Sequence, residues 1–205
     1  MTSINSYYTL KYEQPAEYHF SHDSVFLARR AYELTEQDKP DRVLDLCSGC
    51  GIVGIDYIFH RQKNLRSFPS RIDFLELQKI YQKYFANNIA QISGLQAFEF
   101  LNKNYGDVFI SPELKNVYDL ILCNPPYFNR DQGKLSPSDF KNRCRFFIDS
   151  DFKSLLNAIH YLLKPYGTAY ILVKNEDELK PFNSEFKITR VEMIRNTALY
   201  QLQPI

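Results

Sequence analysis

Arg42-Val43-Leu44-Asp45-Leu46-Cys47-Ser48-Gly49-Cys50-Gly51 sets a short, largely apolar strand directly against a loop of small residues. Ile52, Val53, Ile55, Ile58 and Phe59 then mark the apolar side of a helix. Strand, glycine loop and helix at this spacing open a nucleotide-binding α/β unit, in which small residues let the backbone approach a ligand. Gly49-x-Gly51-x-x-Gly54 also satisfies the dinucleotide fingerprint. That triplet alone is weak evidence, and a nicotinamide enzyme stays open at this point.

Working outward, Val43, Ile72, Phe98, Leu120 and Ala169 each sit in a short apolar run of the kind a buried parallel strand shows. The runs alternate with helical stretches at residues 80–92 and 152–163. Alternation of this kind implies an open α/β sheet that binds ligands beyond the carboxyl ends of its strands. Asp45, Glu76, Asp107 and Asn124 all fall at or just past such ends, so one crevice collects them. Glu76 stands where a ribose-binding carboxylate belongs in such folds. Asp23-Ser24 is a plausible cap for a helix carrying Val25, Phe26, Leu27, Ala28, Ala31 and Leu34. Lys164-Pro165-Tyr166-Gly167 reads as a turn, and residues 186–193 and 198–202 as two last strands around Arg195-Asn196-Thr197.

The fourth apolar run ends in Asn124-Pro125-Pro126-Tyr127-Phe128. Two prolines fix φ, remove two backbone donors and turn the chain out of the sheet in one stiff extended step. The carbonyls of Asn124 and Pro125 are left free as acceptors. A planar exocyclic amino group suits this corner: its two hydrogens reach the Asn124 side chain and the Pro125 carbonyl while its ring stacks on Tyr127. Past the corner, residues 129–145 are polar and hold Arg130, Lys134, Lys141, Arg143 and Arg145 against only Asp131 and Asp139. A basic loop at the mouth of such a corner is a place to hold a phosphate backbone.

At Asp45 to Gly51 and Asn124 to Phe128 the chain resembles the class I S-adenosylmethionine-dependent methyltransferases that carry an Asn-Pro-Pro-Tyr motif. Its Asn-Pro-Pro-Tyr-Phe form is most similar to the bacterial valine-tRNA (adenine-N6)-methyltransferase family. The resemblance implies a Rossmann-like fold: a mostly parallel seven-stranded sheet, helices on both faces and a C-terminal antiparallel hairpin. It implies S-adenosyl-L-methionine as cofactor, bound by Asp23, Asp45, Cys47, Gly49, Gly51, Glu76, Asp107 and Asn124, with Glu76 on the ribose and Asp107 on the adenine. Asn124, Pro125, Pro126 and Tyr127 become the catalytic corner. Tyr127, Phe128, Arg130, Lys134, Arg143 and Arg145 become contacts to a nucleic-acid substrate, tRNA. The chain departs from the family at Cys47, where a glycine is usual, and at Asn142-Arg143-Cys144-Arg145, where the family resembles Ala-Arg-His-Glu. Rival readings are a glutamine-N5 or DNA adenine-N6 methyltransferase, and a non-catalytic protein of the same fold that binds RNA or a partner.

With 205 residues, 44% hydrophobic and 15% aromatic, the chain suits one globular domain over 1–205, residues 1–40 acting as a capping segment. Its formal net charge of +1 supplies no global field to draw in a polyanion, so nucleic-acid binding must rest on local patches. Met1-Thr2-Ser3-Ile4-Asn5-Ser6-Tyr7-Tyr8 shows neither a basic leader nor an apolar core, and no run approaches membrane-spanning length. A cytoplasmic protein, monomer or homodimer, away from membranes, is expected. Cys47-x-x-Cys50 with Cys123 and Cys144 can be read as a redox or zinc set; without a second close pair, four reduced thiols and no metal are the stronger expectation.

Overall fold

A computed structural model describes residues 10–194 and 196–205. The leader reading at residues 1–8 and Arg195 in the terminal turn lie outside the described residues. The strands are β1 (Arg42–Leu46), β2 (Arg71–Leu75), β3 (Phe98–Leu101), β4 (Tyr118–Cys123), β5 (Phe128–Asn129), β6 (Phe146–Phe147), β7 (Leu163–Val173), β8 (Phe186–Ile194) and β9 (Thr197–Pro204). The helices are α1 (His22–Leu34), α2 (Ile52–Lys63), α3 (Gln82–Ile89), α4 (Asp139–Arg145) and α5 (Phe152–Leu162).

Seven strands form one sheet in the order β3-β2-β1-β4-β7-β9-β8, and β5 pairs with β6 apart from it. The first five of that sheet are parallel, while β9 runs antiparallel to both β7 and β8. Residue period two decides which side each strand residue feeds. Val43, Leu120, Leu122, Tyr170 and Leu172 join one core with α1, α2 and α3. Leu44, Leu46, Ile121, Cys123, Ala169, Ile171 and Val173 join a second core with α5. The mostly parallel sheet, the helices on both faces and the terminal hairpin all match the sequence-based expectation.

Strand order reverses between β1 and β4, which is where open α/β sheets leave a crevice. Leu46 pairs with Cys123 there, so Cys47 and Asn124, the next residues, emerge side by side. Three boundaries differ from expectation. Ser21, not Asp23-Ser24, is the α1 cap residue, and Asp23 lies in the first turn. The helix expected over 80–92 is a 3-10 turn, Lys79–Tyr81, followed by the shorter α3. The turn at 164–167 is a bulge within β7: Tyr118 pairs with Leu163 and Leu120 with Thr168. Pro165 brings no donor to the ladder, and Tyr166 on the bulge is 98% exposed.

Candidate active site

The small-residue turn after β1 is shaped by backbone sign. Cys47, Gly49 and Gly51 have φ of 62, 54 and 86°, three left-handed residues within five positions. A glycine would suit position 47 better, but Cys47 holds the same conformation. The Ser48 amide donates to the Leu75 carbonyl at 3.1 Å, and the Gly49 amide to Glu76 Oε2 at 2.9 Å. The other Glu76 oxygen accepts from the Gln78 amide at 2.7 Å. Burial pushes the Glu76 carboxyl up to about 6, against the pull of the Gln78, Gly49 and Leu77 amides.

Asp45 and Gly51 turn away from this crevice. Asp45 is fully buried beneath α2, where Oδ2 accepts from the Gly54 amide at 2.8 Å. Burial, opposed by that bond and aided by the Glu76 charge, pushes its carboxyl up to about 8. A Cβ at Gly51 would lie 2.8 Å from the Phe85 ring, so this glycine fits the turn against α3 rather than against a ligand. Both residues shape the turn from behind.

A cavity opens above the turn, lined by Cys47, Ser48, Gly49, Glu76 to Gln78, Tyr81, Lys103 to Tyr105 and Asn124 to Tyr127. Its outer walls come from the N-terminal segment, through Tyr18, Phe20, Ser21 and Ser24, and from Arg143, Cys144 and residues 146–150. Burial pushes the Tyr18 hydroxyl up to about 12, with the neighbouring Cys144 adding to it. Ser48 Oγ is buried on this wall with no partner among the described residues, a polar atom disposed to meet a bound ligand. Asp23 and Asp107 do not line the cavity. Asp107 is exposed in the 3-10 turn Tyr105–Ile110, and Lys103 and Asn104 stand on the wall instead.

At the corner, the Asn124 Nδ2 donates to Ser24 Oγ at 2.8 Å, across 100 residues of sequence. The Asn124 amide oxygen accepts a short hydrogen bond from the Tyr127 hydroxyl. The Tyr127 amide donates to the Arg145 carbonyl at 3.2 Å, and the pairs Phe128–Phe146 and Asn129–Phe147 continue that ladder. Thus the second half of the basic loop is stitched back onto the corner.

No protein-family model matches the chain. The tRNA1(Val) (adenine(37)-N6)-methyltransferase of Aliivibrio fischeri is 28% identical over 162 residues, covering 76% of this chain and 63% of that protein. The protein of the same name from Dyadobacter fermentans is 31% identical over 132 residues, covering 64% of this chain and 50% of its own. The chain thus spans between half and two thirds of the length of these curated relatives. The ribosomal protein L11 methylase of Lactobacillus delbrueckii subsp. bulgaricus superposes with a TM-score of 0.60 at 15% identity, covering 91% of this chain and 80% of that one. The fold is that of the class I methyltransferases.

Within this methyltransferase fold, the expected residues divide into three groups. Cys47, Gly49, Glu76, Asn124, Pro125, Pro126, Tyr127 and Arg143 share the cavity. Asp45 and Gly51 support its floor from behind. Asp23, Asp107, Phe128, Arg130, Lys134 and Arg145 stand outside its wall. Arg143 is neutralised by Asp149, which it meets through Nε at 2.8 Å and Nη2 at 3.3 Å. Ser24, Lys103, Asn104 and residues 146–150 escaped the sequence reading. Only Ser24 carried a signal, as the second half of the expected Asp23-Ser24 cap. All four cysteines are free thiols: Cys144 is held by Tyr81, Gln78 and the Phe140 carbonyl, and burial pushes it up to about 11. Among the described residues no helix is long and apolar enough to cross a membrane.

Proposed function

We propose that this chain is an S-adenosylmethionine-dependent N-methyltransferase acting on an exocyclic amino group, the N6 of an adenine in tRNA. The observation that carries the reading is one of register. Leu46 and Cys123 pair, so the small-residue turn and the Asn-Pro-Pro-Tyr corner open side by side onto one cavity. The relatives named above have the same activity in their names, which supports the choice of substrate.

S-adenosylmethionine, when bound, supplies an electrophilic methyl group on a sulfonium. Glu76 is the residue to take its ribose hydroxyls, with Gly49 beside it and Ser48 Oγ offering a further hydrogen bond. Lys103 and Asn104, rather than Asp107, stand on the wall suited to the adenine end. The chain's task toward the substrate is positioning. An aryl amine is a weak nucleophile because its lone pair is delocalised into the ring. Two acceptors, Asn124 Oδ1 and the Pro125 carbonyl, favour a pyramidal nitrogen with its lone pair aimed into the cavity, while Tyr127 holds the ring. A flipped or unpaired base is the form that reaches such a corner.

The experiment is methyl transfer from radiolabelled S-adenosylmethionine to separated pools of tRNA, rRNA, DNA and protein, with Asn124→Ala as control. Label in tRNA, lost in the control, is the expected result. Label confined to another pool overturns the substrate, and no label in any pool overturns the enzyme.

A further inference from the structure

Two cations at the rim of the corner are held on aromatic faces and spared from acids. Lys174, the first residue past β7, places Nζ 4.0 Å from the centre of the Phe128 ring. Arg145, the last residue of α4, lies over Phe146 at 5.4 Å. The two rings are themselves in contact, their centroids 5.8 Å apart, because β5 and β6 pair Phe128 with Phe146. Lys174, Phe128, Phe146 and Arg145 therefore form one row, beginning one residue beyond Tyr127.

Several charges nearby are already engaged. Arg143 pairs with Asp149 and Lys180 with Asp177. Glu176 accepts from the Tyr200 hydroxyl at 2.6 Å and lies 3.7 Å from Arg190. Glu178 accepts from the Asn129 side chain at 3.1 Å. Among the described residues, neither Lys174 nor Arg145 has a carboxylate within ion-pair distance, and both are exposed. An aromatic face orders a long cationic side chain without discharging it, so less freedom is lost when an anion arrives. The occupant such a pair fits is polyanionic.

We propose that Lys174 and Arg145 clamp the phosphates flanking the target nucleotide, so the site recognises an unpaired polynucleotide segment rather than a nucleoside or a protein side chain. The proposal rests on the methyltransferase reading and deepens it. A base that reaches the corner leaves its stack, and its two neighbouring phosphates must then pass over this rim. Of the basic residues that sequence reasoning assigned to the loop, Arg145 is the one held on an aromatic ring among the described residues, and Lys174 joins it from a different element.

The test uses the full chain and its Lys174→Ala, Arg145→Ala and double variants. Binding of a fluorescein-labelled single-stranded oligoadenylate RNA is followed by anisotropy across a salt series, and donor binding by calorimetry. Each single variant is expected to bind the oligonucleotide about 5- to 20-fold more weakly, with the slope of log affinity against log salt reduced by about 0.7 per contact removed. Lys174→Arg and Arg145→Lys should restore most of the affinity, and S-adenosylmethionine should bind all variants alike. Unchanged affinity and slope in the double variant overturn the clamp, whatever the enzyme methylates. Loss of oligonucleotide binding in a protein that methylates no nucleic acid keeps the clamp and overturns the methyltransferase reading instead.

Discussion

Tyr127 donates its hydroxyl hydrogen to the amide oxygen of Asn124, and so takes one of the two lone pairs that the proposed function offers to a substrate amine. Burial, with the nearby Asp23 adding to it, holds the phenol well above its ordinary range, so it stays a donor at neutral pH. In the proposed function an incoming amine shares this oxygen with the phenol or displaces it. Tyr127→Phe keeps the ring and removes the competitor, so kcat/KM toward RNA should be unchanged or rise by up to about tenfold, the equivalent of one ordinary hydrogen bond. Asn124→Ala should abolish transfer while donor binding persists. Steady-state kinetics decide: a Tyr127→Phe enzyme as inactive as Asn124→Ala would make the hydroxyl part of the chemistry.

Ser24 fixes the other end of the same amide. With Asn124 Nδ2 bound to Ser24 Oγ, the amide oxygen is turned toward Tyr127 and the cavity. Ser24 is 4% exposed, so no bulk water replaces a deleted hydroxyl freely. Ser24→Ala should lower kcat by about tenfold with little change in donor affinity, and Ser24→Thr should recover part of the loss. A fall in donor affinity matching the fall in kcat would show that α1 had shifted and that orientation of the amide was not the cause.

Much of this arrangement was legible in the sequence, and what was not has identifiable physical reasons. The alternating strands gave sheet, cores and crevice, because β1, β4 and β7 feed both faces with period two. Asp45 was placed at the cavity on the strength of its position before the loop. It shares a sheet face with Val43, two residues back, which points it under α2 toward Gly54. Asp107 was chosen as the acid after the third strand, where the resemblance places an adenine contact, but the 3-10 turn carries it off the wall. Ser24 and residues 146–150 reach the site only through contacts distant in sequence or through a two-residue ladder, which no local pattern announces.

Under the proposed function, Glu76 should make protein stability and donor affinity respond to pH in opposite directions. Its folded pKa is raised from 4.5 to about 6 by burial. A raised folded pKa means that the neutral form is preferred. This contribution, roughly 2 kcal/mol, is fully present below pH 4.5 and lost as pH rises through about 6. Donor hydroxyls bind the ionised carboxylate better, so donor affinity should fall about tenfold per pH unit below 6 and level off above 7. Thermal shift with and without S-adenosylmethionine from pH 5 to 8 should show the donor-induced increment growing with pH. Glu76→Gln should bind the donor weakly and flatten that growth; an increment equally steep in the variant would assign it to another group.

Within β2, Asp73 holds a charged network that takes no part in the cavity lining. It is 1% exposed and accepts from Arg71 Nε at 2.7 Å, the Tyr118 hydroxyl at 2.9 Å and Arg42 Nη2 at 3.3 Å. Arg42 also lies over the Tyr118 ring at 5.6 Å, so the four residues pack as one cluster. Asp73→Ala leaves a buried phenol without its acceptor and takes one anion from two part-exposed guanidinium groups, of which Arg71 keeps Glu99, and should cost about 2–4 kcal/mol. At 2–4 °C per kcal/mol for a domain of this size, Tm should fall by roughly 4–16 °C. Tyr118→Phe removes one neutral donor and should cost only about 1 kcal/mol. Because none of the four residues lines the cavity, donor affinity measured well below the lowered Tm should match the parent protein. A loss of stability under about 1 kcal/mol in Asp73→Ala by urea titration would show that water and the existing Arg71–Glu99 pair suffice for the arginines, and that the network is not a source of stability.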